Sequence, residues 1–326
     1  MCCMTKLSDQ LYAIGLLPVV TVDSPDHAVP LAQTLADGGI PAAEITFRTP
    51  AAAQSIAQIA QAFPDFLVGA GTVLSVQQAE AAVSAGAKFI VSPGLNLDVV
   101  QWCLDRGTPI YPGVSSPTEL EAALKLGLTE VKFFPAQQSG GASMLRALSA
   151  PYPQARFIPT GGISVQNLEE YLALPNVLCC GGSFVASAQQ IASGEFDKIR
   201  MQANQAVSAI LDAQLLHVGI NCADAAQARN VAGGFQSLFG FDVQETPGSF
   251  FAGTAAEVCK TPFLGEHGHL AFLVAHIDRA VAWFRFRGID FREETRVQDE
   301  KGLVAVYFKD EISGFAIHLR RRDRKA

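Results

Sequence analysis

Residues 130–136, EVKFFPA, and residues 157–163, FIPTGGI, are two short runs of β-branched, aromatic and apolar residues separated by a stretch of helical composition. Read outward, the same rhythm continues in both directions. It gives LLPVVTV (16–22), AAEITF (42–47), FLVGAGTV (66–73), FIVSPG (89–94), PIYPGVSS (109–116) and VLCCGGSFV (177–185), eight runs in all, with Ala-rich stretches between them. Strand–helix alternation signals a parallel sheet of βα units. Eight such units predict a closed (β/α)8 TIM barrel.

Helix start signals agree with this reading: Asp23 or Ser24 ahead of Pro25, Ser75 ahead of VQQAEAAVSAG, and Ser164 ahead of VQNLEEYLAL. Gly86 and Gly127 stand where helices should stop. Residues 194–211 read as a terminal helix, so the first domain is expected over residues 1–213 and the second over 214–326 after the short connector DAQLL. In the second, His217 opens a strand followed by a helix and LFGFDV, and His269 opens another followed by a helix and RGIDF. That is an internal repeat in an α+β domain of strand, helix and several strands.

The composition restricts the function classes. With 326 residues, 49% hydrophobic and 17% charged, the chain can bury a large core. A formal charge of −7 offers no footprint for nucleic acid or an anionic membrane, and the basic ending RRRDRK is read as a solvated tail. No apolar run has the length of a membrane span, and no signal peptide is evident. Seven cysteines without framework spacing, with Cys2-Cys3 and Cys179-Cys180 adjacent, point to reduced thiols and a cytoplasmic protein.

Polar residues gather at the ends of the expected barrel strands. In the second run, period-two alternation puts Glu44, Thr46 and Arg48 on one face and Ile45 and Phe47 on the other, so the polar face lines the barrel interior. A carboxylate and a guanidinium there need partners, either each other or a ligand. The sixth run places Lys132 alone in an apolar strand. Burial or a neighbouring cation favours the neutral amine of such a lysine, which can attack a ketone to form a Schiff base. Cleaving a carbon–carbon bond beside that ketone then needs a general base, for which Glu44 is the candidate. Arg48 can bind the carboxylate of a 2-keto acid in fork geometry, helped by the Thr72 hydroxyl. The turns Thr160-Gly161-Gly162 and Gly181-Gly182-Ser183 suit a phosphate group at the seventh and eighth strand ends.

The series AEITFRT, GAGTV, SPG, PGVSS, VKFFPA, PTGGIS and GGSF, in this order over about residues 8–213, closely resembles the 2-keto-3-deoxy-6-phosphogluconate / 4-hydroxy-2-oxoglutarate aldolase family. The resemblance implies a class I aldolase, a carbon–carbon lyase with Lys132 as the Schiff-base lysine and Glu44 as general acid/base. Arg48 and Thr72 would hold the pyruvate carboxylate, Pro93, Phe134 and Thr160 would line the pocket, and Gly161, Gly162 and Ser183 would bind phosphate. It further implies a small keto-acid phosphate substrate, no cofactor for the aldolase, and a homotrimer. The run AQQSGG departs from the family in lacking the acidic residue usual after this lysine strand.

Residues 214–326 resemble the glyoxalase-like (vicinal oxygen chelate) superfamily, whose βαβββ modules bind a divalent metal through His and Glu. The matching positions are His217, His269 and Glu257. The closing carboxylate of that pattern is replaced by His318 in FAIHL, a residue type that can also ligate zinc. His267 would join that face only if its strand began early, and His27 and His276 read as surface residues. The alternative for the barrel is a phosphate-binding isomerase or synthase, with the second domain a non-catalytic regulatory or oligomerisation module.

Overall fold

The computed structural model describes residues 6–322, which fall into two compact units, Lys6–Ile210 and Leu211 onward. The cysteine pair at positions 2 and 3 lies outside the described residues.

The first unit carries β1 (Leu16–Val20), β2 (Ala42–Thr46), β3 (Leu67–Gly71), β4 (Ile90–Val91), β5 (Ile110–Tyr111), β6 (Gly113–Val114), β7 (Glu130–Phe133), β8 (Arg156–Pro159) and β9 (Cys180–Gly182). One parallel sheet runs β5-β4-β3-β2-β1-β9 and another β6-β7-β8. The bridges Phe157–Val177 and Thr160–Gly181 join β8 to β9, while β5 and β6 are halves of one run, so the strands close into a ring. Pro112 divides that fifth run because it has no N–H to give to the ladder, though its carbonyl still accepts from the Lys132 amide at 2.9 Å.

Alternation sorts the side chains of these strands. Val131 and Phe133 of β7 are fully buried on either side of Lys132, and Phe133 meets Phe157 of β8 edge to face at 6.3 Å. Their apolar area leaves water, while Lys132 takes the opposite face. The helices begin largely where the sequence signals them. Ser24 accepts from Asp26 N–H ahead of Pro25, and Ser75 accepts from Gln78 N–H ahead of Val76–Ser84. Ser164 is the exception: its N–H donates to Asn167 Oδ1 in a turn, and the helix starts only at Leu168. A helix unforeseen in the sequence, Leu7–Ile14, precedes β1 and ends at Gly15 in the left-handed region. The terminal helix runs Phe196–Leu211.

The second unit contains β10 (Gln214–Asn221), β11 (Val243–Glu245), β12 (Ser249–Ala252), β13 (Ala256–Cys259), β14 (Gly268–Val274), β15 (Phe291–Asp299), β16 (Gly302–Phe308) and β17 (Phe315–Arg321), with helices Ala225–Phe239 after β10 and Ile277–Phe286 after β14. Each half is therefore strand, helix and three strands. The sheet order β11-β12-β13-β10-β14-β17-β16-β15 repeats the same sequence of neighbours outward from the antiparallel β10–β14 pair. Val274, Ile277, Val281, Phe291, Val306 and Leu319 form the core under the second helix, and Phe250, Val258, Ala228 and Ala232 a smaller one under the first.

Two expectations at the ends of this unit are corrected. Gln214, Leu215 and Leu216 belong to β10, not to a connector. The start of the basic ending is strand, not tail: Arg321 pairs with Asp299 and Arg322 with Asp212, so carboxylates neutralise the arginines and the chain stays in the ladder. The remainder of that ending lies outside the described residues. Among the described residues, no helix is long and apolar enough to cross a membrane.

Candidate functional site

Lys132 and Glu44 meet inside the barrel ring. Glu44 sits in β2 between Val19 of β1 and Gly69 of β3, and Lys132 in β7 between Gly113 of β6 and Ile158 of β8. Lys132 Nζ lies 3.4 Å from Glu44 Oε1, with the two residues 4% and 1% exposed. The sequence places both on interior faces but does not say that they touch. Burying two opposite charges together is tolerated because each neutralises the other, and removing one partner strands its mate. Lys132 Nζ also stands 5.2 Å from the Phe134 ring centroid, a cation–π distance.

Beyond Phe134 opens a cavity of about 290 Å³, walled by Arg48, Phe134, Thr160, Gly161, Gly162 and Ser183 among the expected residues. Val19, Thr21, Ile163, Ala186, Ser187 and Ala188, which the sequence reading did not single out, complete much of the wall. A readable signal existed for one of them: Ser187-Ala-Gln-Gln190 is a capping-box pattern, and Ser187 does cap the helix Ala188–Ala192.

One expectation about Arg48 changes. β2 ends at Thr46, so Arg48 lies in the following turn rather than on the strand face of Glu44. It is exposed and makes no ion pair among the described residues, because Glu44 is taken by Lys132. Its guanidinium remains available at the cavity wall.

Thr72 and Pro93 follow β3 and β4, half-buried and outside the lining of this cavity. Thr72 has φ 54°, a left-handed conformation that a β-branched residue adopts only under constraint. Glycines make the interior fit: a Cβ on Gly181 would stand 2.1 Å from Thr160 Oγ1.

In the second unit, all four expected donors converge. The register sets His269 of β14 opposite Gly219 of β10 and Ala316 of β17, and sets Ala271 of β14 opposite His217 and His318. Alternation puts them on one sheet face, with small residues between the large ones. A Cβ on Gly219 would lie 2.1 Å from His269 Cε1, so the imidazole fills the space glycine leaves. His217 Nε2 is 3.0 Å from His269 Nε2, and Glu257 Oε2 is 3.1 Å from the first and 3.4 Å from the second. One ligand atom each from His217, His269 and His318 lies within 4.8 Å of the others.

Ser249 Oγ donates to the other Glu257 oxygen at 2.8 Å, and the Tyr307 ring stacks on His318 at 4.5 Å. Hydrogen bonds from His217, then His269, hold the Glu257 carboxyl well below the usual range. Burial, reinforced by the neighbouring histidines, pushes His318 down to about 3, so its ring is neutral at pH 7. His267 precedes β14 and is not part of the cluster, its amide instead donating to the Gly314 carbonyl. His27 and His276, expected at the surface, are half-buried.

A closed parallel barrel with a buried lysine–carboxylate pair beside a glycine-walled cavity defines a barrel enzyme of carbonyl chemistry. The chain belongs to the KDPG and KHG aldolase family, whose sequence model matches residues 7–202. It is 49% identical over 207 residues to the 2-dehydro-3-deoxy-phosphogluconate aldolase of Treponema pallidum (strain Nichols), covering 64% of this chain and 99% of that protein. It is 43% identical over 192 residues to the KHG/KDPG aldolase of Escherichia coli (strain K12), covering 59% of this chain and 90% of that one.

Among solved structures, KDPG aldolase from Legionella pneumophila, with pyruvate captured as a covalent carbinolamine, aligns at TM-score 0.59 and 39% identity over 61% of this chain and 97% of that one. The 2-keto-3-deoxy-6-phosphogluconate aldolase of Zymomonas mobilis ZM4, with 3-phosphoglycerate, aligns at 0.57 and 36% over 61% and 94%.

Proposed function

We propose that the barrel unit cleaves 2-keto-3-deoxy-6-phosphogluconate to pyruvate and glyceraldehyde 3-phosphate through a Schiff base on Lys132, and cleaves 4-hydroxy-2-oxoglutarate to pyruvate and glyoxylate by the same route. The observation that carries this is the buried Lys132–Glu44 pair at 3.4 Å. Lys132 first gives a proton to Glu44; its neutral nitrogen then attacks the C2 ketone to give a carbinolamine, and Glu44 returns the proton to the departing hydroxyl so that loss of water gives the imine. As the C4 hydroxyl loses its proton, the C3–C4 bond breaks. Its electrons flow into the imine as an enamine, and the aldehyde departs. Protonation of the enamine at C3 and hydrolysis release pyruvate.

Glu44 is within reach of the reacting nitrogen and serves as the proton carrier in these steps. Arg48 binds the substrate carboxylate, helped by the Thr72 hydroxyl, while Pro93, Phe134 and Thr160 line the pocket. Gly161, Gly162 and Ser183 receive the phosphate. The carbinolamine in the Legionella relative and the phosphorylated ligand in the Zymomonas relative support both ends of this reading. A class I aldolase needs no metal.

Reduction with borohydride in the presence of pyruvate tests it: a secondary amine on the peptide carrying Lys132 is expected. An adduct on Lys125 instead, or full activity in Lys132→Ala, would sink the assignment. A homotrimer, checked by light scattering, and a cytoplasmic location are part of the proposal. The five described cysteines, all buried, are consistent with a reducing compartment.

The convergent histidines favour a second reading, that residues 214–326 form a glyoxalase-like domain holding a divalent metal. Three imidazoles and one carboxylate are a competent donor set for zinc or a similar ion. Nδ1 of His269 and both ring nitrogens of His318 are buried without a hydrogen-bond partner, a cost that coordination by His318 would relieve in part. His217, His269, His318 and Glu257 would hold the ion, which would supply Lewis acidity there. A regulatory or oligomerisation module without metal is the competing reading. Stoichiometric metal in the purified protein separates the two.

A further inference from the structure

Gly161 and Gly162 are both left-handed, with φ 100° and 75°, and the carbonyl of each is already occupied. Gly161 O accepts from the Gln137 amide at 3.1 Å, and Gly162 O accepts from the side-chain amide of Asn167 at 2.9 Å. The other end of the same side chain, Asn167 Oδ1, accepts from the Ser164 N–H at 2.8 Å. Asn167 thus spans the turn like a miniature peptide, using a donor and an acceptor at once. The Gly161 amide is used by the parallel bridge between Thr160 and Gly181, whereas the amides of Gly162 and Ile163, both in the cavity wall, have no backbone acceptor among the described residues.

A second anchor comes from the helix that follows. Tyr171, fully buried in Leu168–Leu172, donates its hydroxyl to Gln137 Oε1 at 2.7 Å. The Gln137 Cβ in turn lies 2.6 Å from where a Cβ on Gly162 would be. One short helix and its preceding residue therefore hold both sides of the turn.

We propose that Asn167 is a positioning residue for the substrate phosphate: it ties back the Gly162 carbonyl and the Ser164 amide so that the turn presents N–H groups and no carbonyl oxygen to the anion. This rests on the reading above that Gly161 and Gly162 receive the phosphate. Free amides fixed in place bind an anion without reorganisation, whereas a turn free to flip a peptide would offer a carbonyl oxygen to it. Asparagine is the residue type this requires, because aspartate lacks the donor and adds a negative charge beside the phosphate.

The test compares the full-length protein with Asn167→Ala and Asn167→Asp on phosphorylated and non-phosphorylated substrates. With 2-keto-3-deoxy-6-phosphogluconate, KM is expected to rise about three- to tenfold in Asn167→Ala and more in Asn167→Asp, with kcat nearly unchanged. Inhibition by inorganic phosphate should weaken in parallel. With 4-hydroxy-2-oxoglutarate, which has no phosphate, kcat/KM should stay within about twofold of the parent.

Equal losses on both substrates would mean that Asn167 only supports the fold, and unchanged KM on both would mean that it does nothing for the phosphate; either result overturns the proposal. Failure of the underlying reading looks different. In that case the unmodified protein itself would ignore inorganic phosphate, whatever residue stands at position 167.

Discussion

A methyl group on Gly71 would stand 2.0 Å from Oε1 of Glu44, so the carboxylate occupies space that only glycine leaves open. β3 thereby sets the position of the carboxylate beside Lys132 from the neighbouring strand. Gly71→Ala should displace the carboxylate by the better part of an ångström and lower kcat about 10²-fold. Gly233→Ala, which meets nothing within 4 Å, is the control and should leave kcat alone. Steady-state kinetics on the two variants decides it, and normal turnover in Gly71→Ala would show that the carboxylate's exact placement is unimportant.

Glu44→Gln preserves the shape of the side chain and removes its capacity to take a proton. Turnover should fall by about 10²- to 10⁴-fold while pyruvate still binds. Borohydride trapping and kcat measured on the same preparation separate binding from proton transfer. Unimpaired turnover would leave Glu44 as no more than the charge partner of Lys132.

A chain ending at Ala213 should fold and cleave the aldol substrate. Every residue assigned to that chemistry precedes this point, and a relative matched over 99% of its own length aligns with only 207 residues of this chain. Circular dichroism with a pyruvate-release assay checks it. An inactive chain with an intact spectrum would count against the separation of the two units.

The purified protein should carry about one divalent ion per chain, removable by a chelator, and His318→Ala should weaken its binding at least about tenfold. Elemental analysis and titration calorimetry measure both. Aldol cleavage should not change on chelation, since its site draws on none of these residues. Metal-free protein that takes up no zinc, cobalt or nickel would remove the second reading.

How far these features could be read in advance differs between elements. Lys132 and Glu44 were legible because a charged residue in an apolar, period-two strand has only one place to go in a barrel. Arg48 was assigned to the strand face because alternation cannot say where a strand stops, and β2 stops at Thr46. Asn167 gave no signal, since its role depends on a carbonyl five residues earlier in a turn whose geometry the sequence does not specify.

Ser164 resembles a helix cap in its local chemistry, but the chain makes one more turn, Asn167 N–H to Ser164 O at 3.3 Å, before the helix begins at Leu168. In the second unit the histidines stood out as residue types. Their convergence follows from Gly219, Ala271 and Ala316, small residues whose value appears only once the register is known.

The mirrored strand order about β10 and β14 divides the donors evenly, His217 and Glu257 from one half of residues 214–326 and His269 and His318 from the other. Two ligands do not make a structural zinc site, which takes four. Neither half alone could therefore grip an ion tightly; the donor set is complete only where the two halves join edge to edge at β10 and β14. Once seated, such an ion becomes a clasp: peeling one half away forfeits the whole binding energy, so the two halves should melt together when loaded and be free to melt apart when stripped.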